Sequence, residues 1–234
     1  MGLGGVSVAS DYPEVSKDEL ERILNSLKNR FQNGNYPNYK ERIDRINRLK
    51  LLVEENSEDF HKALQNDFGT RHEQLSLLSD TLPIIASAKH ISKNLSKWMK
   101  PEKRKPNFPL GLLGAKAFIH NQPYGVVGII SPWNFPLNLS LGPLVEVFAA
   151  GNNAMMKLSE FVPETSDLTE KLVKQYFNDD EVVVINGGPQ TSQSFAGLAF
   201  DHLLFTGSTH IAKKIAYEAS ENLVPLTLEL GGKS

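Results

Sequence analysis

Four short segments concentrate the side chains that could bind or transform a ligand. Ser131-Pro132-Trp133-Asn134-Phe135-Pro136 sets a side-chain amide between two prolines that restrict the backbone around it; the simplest reading is a rigid loop with a core tryptophan. Lys157-Leu158-Ser159-Glu160 puts a cation and an anion three residues apart, which taken alone reads as a surface ion pair. Gly207-Ser208 joins a residue that lets a ligand approach to one that caps a helix, and a helix N-terminus attracts anions. A plain N-cap is the simpler alternative there. Glu229 stands just before Gly231-Gly232-Lys233-Ser234.

Other chemistries are excluded or weakened. The 234 residues contain no cysteine, so disulfides, thiolate metal sites and a cysteine nucleophile cannot come from them. Six histidines, His61, His72, His90, His120, His202 and His210, include no pair three or four residues apart; they read as structural or surface residues, and no metal site is expected. GGKS resembles the end of a phosphate-binding loop, but the glycine that pattern requires five positions before Gly232 is Thr227. The G-x-G-x-x-G fingerprint is absent, and the sequons at Asn94 and Asn138 have no secretory signal to give them consequence. With 25 Lys+Arg against 27 Asp+Glu the net charge is −2, which offers no general nucleic-acid footprint. No apolar run approaches the ~20 residues of a membrane span, and the opening MGLGGVSVASDYPE lacks a basic n-region and a long apolar h-region. A cytoplasmic protein is expected.

The elements that must position these residues follow from periodicity. Ser16 with Glu19 has the form of a capping box ahead of Leu20, Ile23, Leu24, Leu27 and Phe31. Asn38 with Glu41 opens a second helix through Ile46, Leu49 and Leu52, and Ser57 starts a third that stops at Gly69. A helical stretch over 72–98 contains Pro83, which predicts a kink or break. Residues 101–114, with three prolines and a short basic run, read as a linker, and 115–122 as a strand. Beyond it, short strand candidates at 126–130, 154–157, 182–185, 202–206 and 226–230, the first and third of them β-branched runs, alternate with helical stretches. That alternation predicts an α/β fold in which a helical lead-in precedes a Rossmann-like parallel sheet covered on both faces. Ligands of such sheets bind at the carboxyl ends of the strands, where the four segments lie.

In this order QPYGVVGIISPWNFP (122–136), AAGNNAMMKLSE (149–160), LFTGSTHIAKKI (204–215) and LELGGKS (228–234) resemble the aldehyde dehydrogenase superfamily. Details such as KLSE are similar to its coniferyl aldehyde and class 3 branch. The resemblance implies oxidation of an aldehyde, aromatic or fatty, by NAD, with NADP as the alternative cofactor, through a cysteine thioester. It makes Asn134 the oxyanion donor and Glu229 the general base for deacylation. It puts Lys157 and Glu160 on the adenosine ribose, Gly207 and Ser208 at the pyrophosphate, Ile130, Pro132 and Trp133 along the nicotinamide, Gly188 against the adenine half, and Leu230 and Gly231 in the cofactor site. Two departures touch the adenine side: Leu158 stands where proline is more frequent, and Ala212 where glycine often stands.

The resemblance further implies residues 1–100 as lead-in of the cofactor domain, 101–121 as linker and strand of an oligomerisation region, and 122–234 as the NAD(P)-binding unit. The catalytic domain with its cysteine would lie outside these residues. By themselves they are then expected to be inactive, and the full-length enzyme is expected to be a homo-oligomer without a membrane span or a nucleic-acid partner. A nucleotide-binding module or catalytically inactive relic ending at Ser234 stays open as the alternative.

Overall fold

A computed structural model describes residues 12–32 and 36–233. The opening MGLGGVSVASD and Ser234 of the closing LELGGKS lie outside the described residues. Helix α1 (Lys17–Gln32) starts with half of the expected box: Ser16 Oγ accepts from Glu19 N at 3.2 Å, while the Glu19 carboxylate is held by Arg22. At α2 (Tyr39–Glu55) the box is complete, with Asn38 Oδ1 accepting from Lys40 and Glu41 N and Glu41 accepting from Asn38 N. Helix α3 (Ser57–Phe68) ends at Gly69, whose φ of 69° a side chain would strain.

Pro83 does not break the next stretch. Helix α4 (Glu73–Ser76) passes through a π-turn (Leu77–Thr81) into α5 (Leu82–Trp98), where Pro83 occupies the first turn. Proline has no N–H to return to the carbonyl four residues back, and the wider turn, closed by Leu82 N on Leu77 O, accommodates that loss.

The expected linker is partly sheet. Strand β1 (Glu102–Arg104) pairs antiparallel with β2 (Ala117–Ile119), which corrects both the unstructured reading of 101–114 and the strand drawn over 115–122. The cause is the partner: Pro101 and Pro106 bracket β1, so few residues can join the ladder, and the facing strand stops where its partner does.

The remaining strands, β3 (Val126–Ile130), β4 (Asn153–Lys157), β5 (Val182–Ile185), β6 (His202–Gly207) and β7 (Leu226–Leu230), form a parallel sheet in the order β5-β4-β3-β6-β7. Helices α6 (Asn138–Ala150), α7 (Pro163–Tyr176), α8 (Pro189–Ala196) and α9 (Thr209–Ser220) connect them. Period-two alternation divides β3, β4, β5 and β6 between two cores, while β7 packs on one of them. Val127, Ile129, Ala154 and Met156 face the cluster built with α2, α5 and α6, whereas Val126, Ile130 and Met155 face the one built with α1, α8 and α9. The chain crosses from β5 to β6 on the far side of β3, so the strand order reverses there and leaves a crevice at the carboxyl ends. At the opposite end, Glu181 takes Arg45 at 3.0 Å and Arg48 at 2.8 Å, tying α2 to the sheet.

Candidate active site

The crevice is a cleft of about 1000 Å³ in which Ile130, Pro132, Trp133, Lys157, Glu160, Gly207 and Ser208 are brought together. Lys157 is not a surface residue: β4 is paired on both edges, and its side chain is 1% exposed. Its Nζ donates to Leu158 O and lies 3.4 Å from Glu160 Oε2. An ammonium has three N–H donors, so one remains without a protein acceptor among the described residues. Burial pushes the Lys157 ammonium down, against the charges of Glu160 and Glu14. Trp133, read as a core residue, is half exposed on the cleft wall, its ring 6.2 Å from that of Phe68.

Across the cleft Ser208 caps α9, its Oγ accepting from Ile211 N at 3.4 Å. A Cβ at Gly207 would sit 2.5 Å from the Phe205 ring, so the ring would have to shift to admit a side chain there. Ser131 Oγ, at the end of β3, lines the same cleft and is buried without a hydrogen-bond partner among the described residues.

Five residues singled out in the sequence lie outside that lining: Asn134, Gly188, Glu229, Leu230 and Gly231. Gly188 precedes α8 and is covered by Glu14, whose Oε1 would be 2.4 Å from a Cβ at that position. The Glu14 carboxylate accepts from Thr191 and Gln190 N at the start of α8. Burial opposes its ionisation, but the bonds from Thr191 and Gln190 hold it below the usual carboxylate range. Glu229 faces Thr206 in register on the edge strand β7 and is exposed. Gly231 N donates to Gly207 O at 3.4 Å. The Asn134 side chain is exposed in the loop after β3.

That loop is braced by two residues that periodicity does not mark. Arg71 is buried, and its Nη1 donates to Asn134 O at 2.7 Å while Nη2 pairs with Asp80. Its guanidinium lies over the rings of Phe68, at 4.6 Å, and Phe135, at 5.2 Å. Asp80, fully buried within the π-turn, accepts from Leu137 N at 3.2 Å and Asn138 N at 3.3 Å where α6 begins. Burial pushes the Asp80 carboxyl up, against the pull of Arg71 and of the two amides.

A cleft with an ammonium donor still free among the described residues and a carboxylate on one side, a capped helix start on the other and an indole between them fits a dinucleotide. Over residues 6–234 the sequence matches the aldehyde dehydrogenase family. The chain belongs to that family. It is 48% identical over 225 residues to a probable coniferyl aldehyde dehydrogenase of Caulobacter vibrioides, covering 94% of this chain and 46% of that protein. This aldehyde dehydrogenase chain thus spans about half the length of the curated relatives it matches. Its fold agrees with the substrate-bound state of Staphylococcus aureus AldH at a TM-score of 0.87 and 32% identity, over 92% of this chain and 46% of the other. It also agrees with Pseudomonas syringae AldA, an indole-3-acetaldehyde dehydrogenase seen in complex with NAD+, at 0.81 and 25%, over 94% and 44%. Among the described residues no helix is long and apolar enough to cross a membrane, and no group of three or more His, Asp or Glu could hold a metal ion.

Proposed function

We propose that this aldehyde dehydrogenase chain is the cofactor-holding part of an NAD(P)-dependent enzyme that oxidises an aromatic, coniferyl-like or fatty aldehyde to its acid. The observation that carries the reading is the juxtaposition of the spare Lys157 donor and Glu160 with the Ser208-capped start of α9 in one cleft. Lys157 donates to, and Glu160 accepts from, the adenosine ribose hydroxyls. Gly207 and Ser208 take the pyrophosphate, with Gly188 toward the adenine half. Ile130, Pro132 and Trp133 flank the nicotinamide, and Leu230 and Gly231 complete that end. When bound, the nicotinamide supplies a hydride acceptor. The Asn134 amide donates to the carbonyl oxygen as negative charge develops on it, and Glu229 takes a proton from the water that releases the acid. The absence of cysteine from the 234 residues puts any thiolate nucleophile outside them.

In this reading residues 1–100 are the lead-in of the cofactor domain, 101–121 its oligomerisation arm and 122–234 the dinucleotide-binding unit. The loop between β1 and β2 exposes Phe108, Leu112 and Leu113, which supports a homo-oligomer of the full-length protein. We place the enzyme in the cytoplasm.

Glu229→Gln in the full-length protein tests the assignment, since the amide keeps the shape but accepts no proton. A rapid burst of reduced cofactor followed by slow turnover is expected with coniferyl aldehyde. Turnover at the wild-type rate would remove Glu229 from the role of base.

A further inference from the structure

We propose that Arg71 and Asp80 are positioning residues for acylation, which together set the direction in which Asn134 presents its amide. The proposal rests on the reading of Asn134 as the oxyanion donor and concerns what holds that donor in place. The loop between β3 and α6 carries Asn134 on an exposed surface, and no side-chain hydrogen bond among the described residues holds its amide. Its backbone is held instead. Arg71 grips the Asn134 carbonyl at 2.7 Å, fixing the peptide plane that follows Asn134 and hence the direction of its Cα–Cβ bond.

The same guanidinium is clamped in turn. Phe68 and Phe135 lie against it, and Asp80 neutralises it from within the π-turn. Through its other carboxylate oxygen Asp80 receives the amides of Leu137 and Asn138, three and four residues past Asn134. One ion pair therefore anchors both ends of the loop: Arg71 at the donor residue and Asp80 at the helix that follows. Phe68, which supports the guanidinium, also touches the indole of Trp133, so the brace reaches the residue on the other side of Asn134. The π-turn contributes directly, since its extra residue per turn shifts the register of the helix on which Asp80 is carried.

Oxyanion stabilisation is demanding of geometry, and a misplacement of about 1 Å can cost on the order of 100-fold in rate. A lysine at position 71 would keep the charge but could not bridge carbonyl and carboxylate with a planar fork.

The test is a double-mutant cycle in the full-length protein, read as the burst rate of reduced cofactor in single turnover. Asn134→Ala is expected to slow that rate by about 100- to 1000-fold. Arg71→Met should slow it by about 10- to 100-fold while the dissociation constant for NAD stays within about twofold of wild type. Arg71→Lys and Asp80→Asn should fall between wild type and Arg71→Met. The deciding measurement is Arg71→Met in the Asn134→Ala background, where the further loss should be no more than about threefold, because no amide is left to orient. Losses that multiply in the double variant, or an NAD affinity that falls in parallel with the rate, would show a merely structural role and overturn the proposal. If Asn134→Ala slows acylation and Arg71→Met does not, the positioning role fails while the oxyanion role stands. If Asn134→Ala has no effect, both fall. Should Arg71→Met not fold, Arg71→Lys takes its place in the same cycle, judged by the same non-additivity.

Discussion

Replacing Lys157 by methionine separates the binding of the cofactor from the stability of the fold. The Lys157 ammonium engages Leu158 O and Glu160, which among the described residues leaves one N–H for a ligand hydroxyl. A hydrogen bond with a charged partner is worth about 1.5–3 kcal/mol, and 1.4 kcal/mol is tenfold in affinity, so the NAD dissociation constant should rise by about 10- to 140-fold. Stability should move much less. The lost cation was 1% exposed and costly to bury, and methionine fills its path with apolar atoms. Glu160, with its side chain 14% exposed, is left beside an open cleft rather than sealed in the interior. The loss should therefore stay below the about 3–5 kcal/mol seen when a fully buried partner is stranded. Titration calorimetry with NAD and urea denaturation of the full-length Lys157→Met protein check the two halves. An unchanged dissociation constant with an intact fold would refute the argument, because the spare donor would then not reach the cofactor.

Two further outcomes follow from the charges around the cleft and the sheet. A carboxylate at Glu160 suits ribose hydroxyls and repels a 2′-phosphate, so kcat/KM should be higher with NAD than with NADP, the margin narrowed by Lys157 beside it; steady-state kinetics favouring NADP would refute this. At the far end of the sheet, burial of Glu181 opposes ionisation, yet the hydrogen bond from Arg48, the amide of Asn178 and the charge of Arg45 hold its pKa at about 2. A carboxyl lowered on folding contributes stability that is complete above its unfolded value near 4.5 and lost as pH falls toward about 2. At ~1.36 kcal/mol per pH unit this is about 3 kcal/mol at most, trimmed toward about 2 because solvent screens Arg48, a quarter of whose side chain is exposed. Glu181→Gln should therefore destabilise at pH 7 by about 2–3 kcal/mol, with the difference closing as pH drops below 4. Denaturation curves showing a constant difference from pH 7 to 3 would contradict it.

What the sequence determined by itself is what depends on neighbours along the chain. Strands 126–130 and 182–185 were legible to the residue because β-branched runs end abruptly there, and 226–230 because apolar residues alternate with polar ones between Pro225 and Gly231. The second helix was legible because Asn38 and Glu41 satisfy each other's amides within one turn. The motifs after the strands likewise pointed to the family, since a loop between two covered elements must carry its chemistry within a few residues. Tertiary structure alone decided the rest, because those features pair residues distant in the chain. Glu102–Arg104 became a strand only by meeting Ala117–Ile119. The Lys157-Glu160 pair went from an apparent surface pair to a buried cation because β4 lies between β3 and β5, an order that no local pattern encodes. Glu14 reaches Thr191 across 177 positions, and Arg71 reaches Asn134 across 63, through contacts that neither helical nor strand periodicity marks. Periodicity reports which face of an element is buried; it carries no record of which buried polar group that face will find.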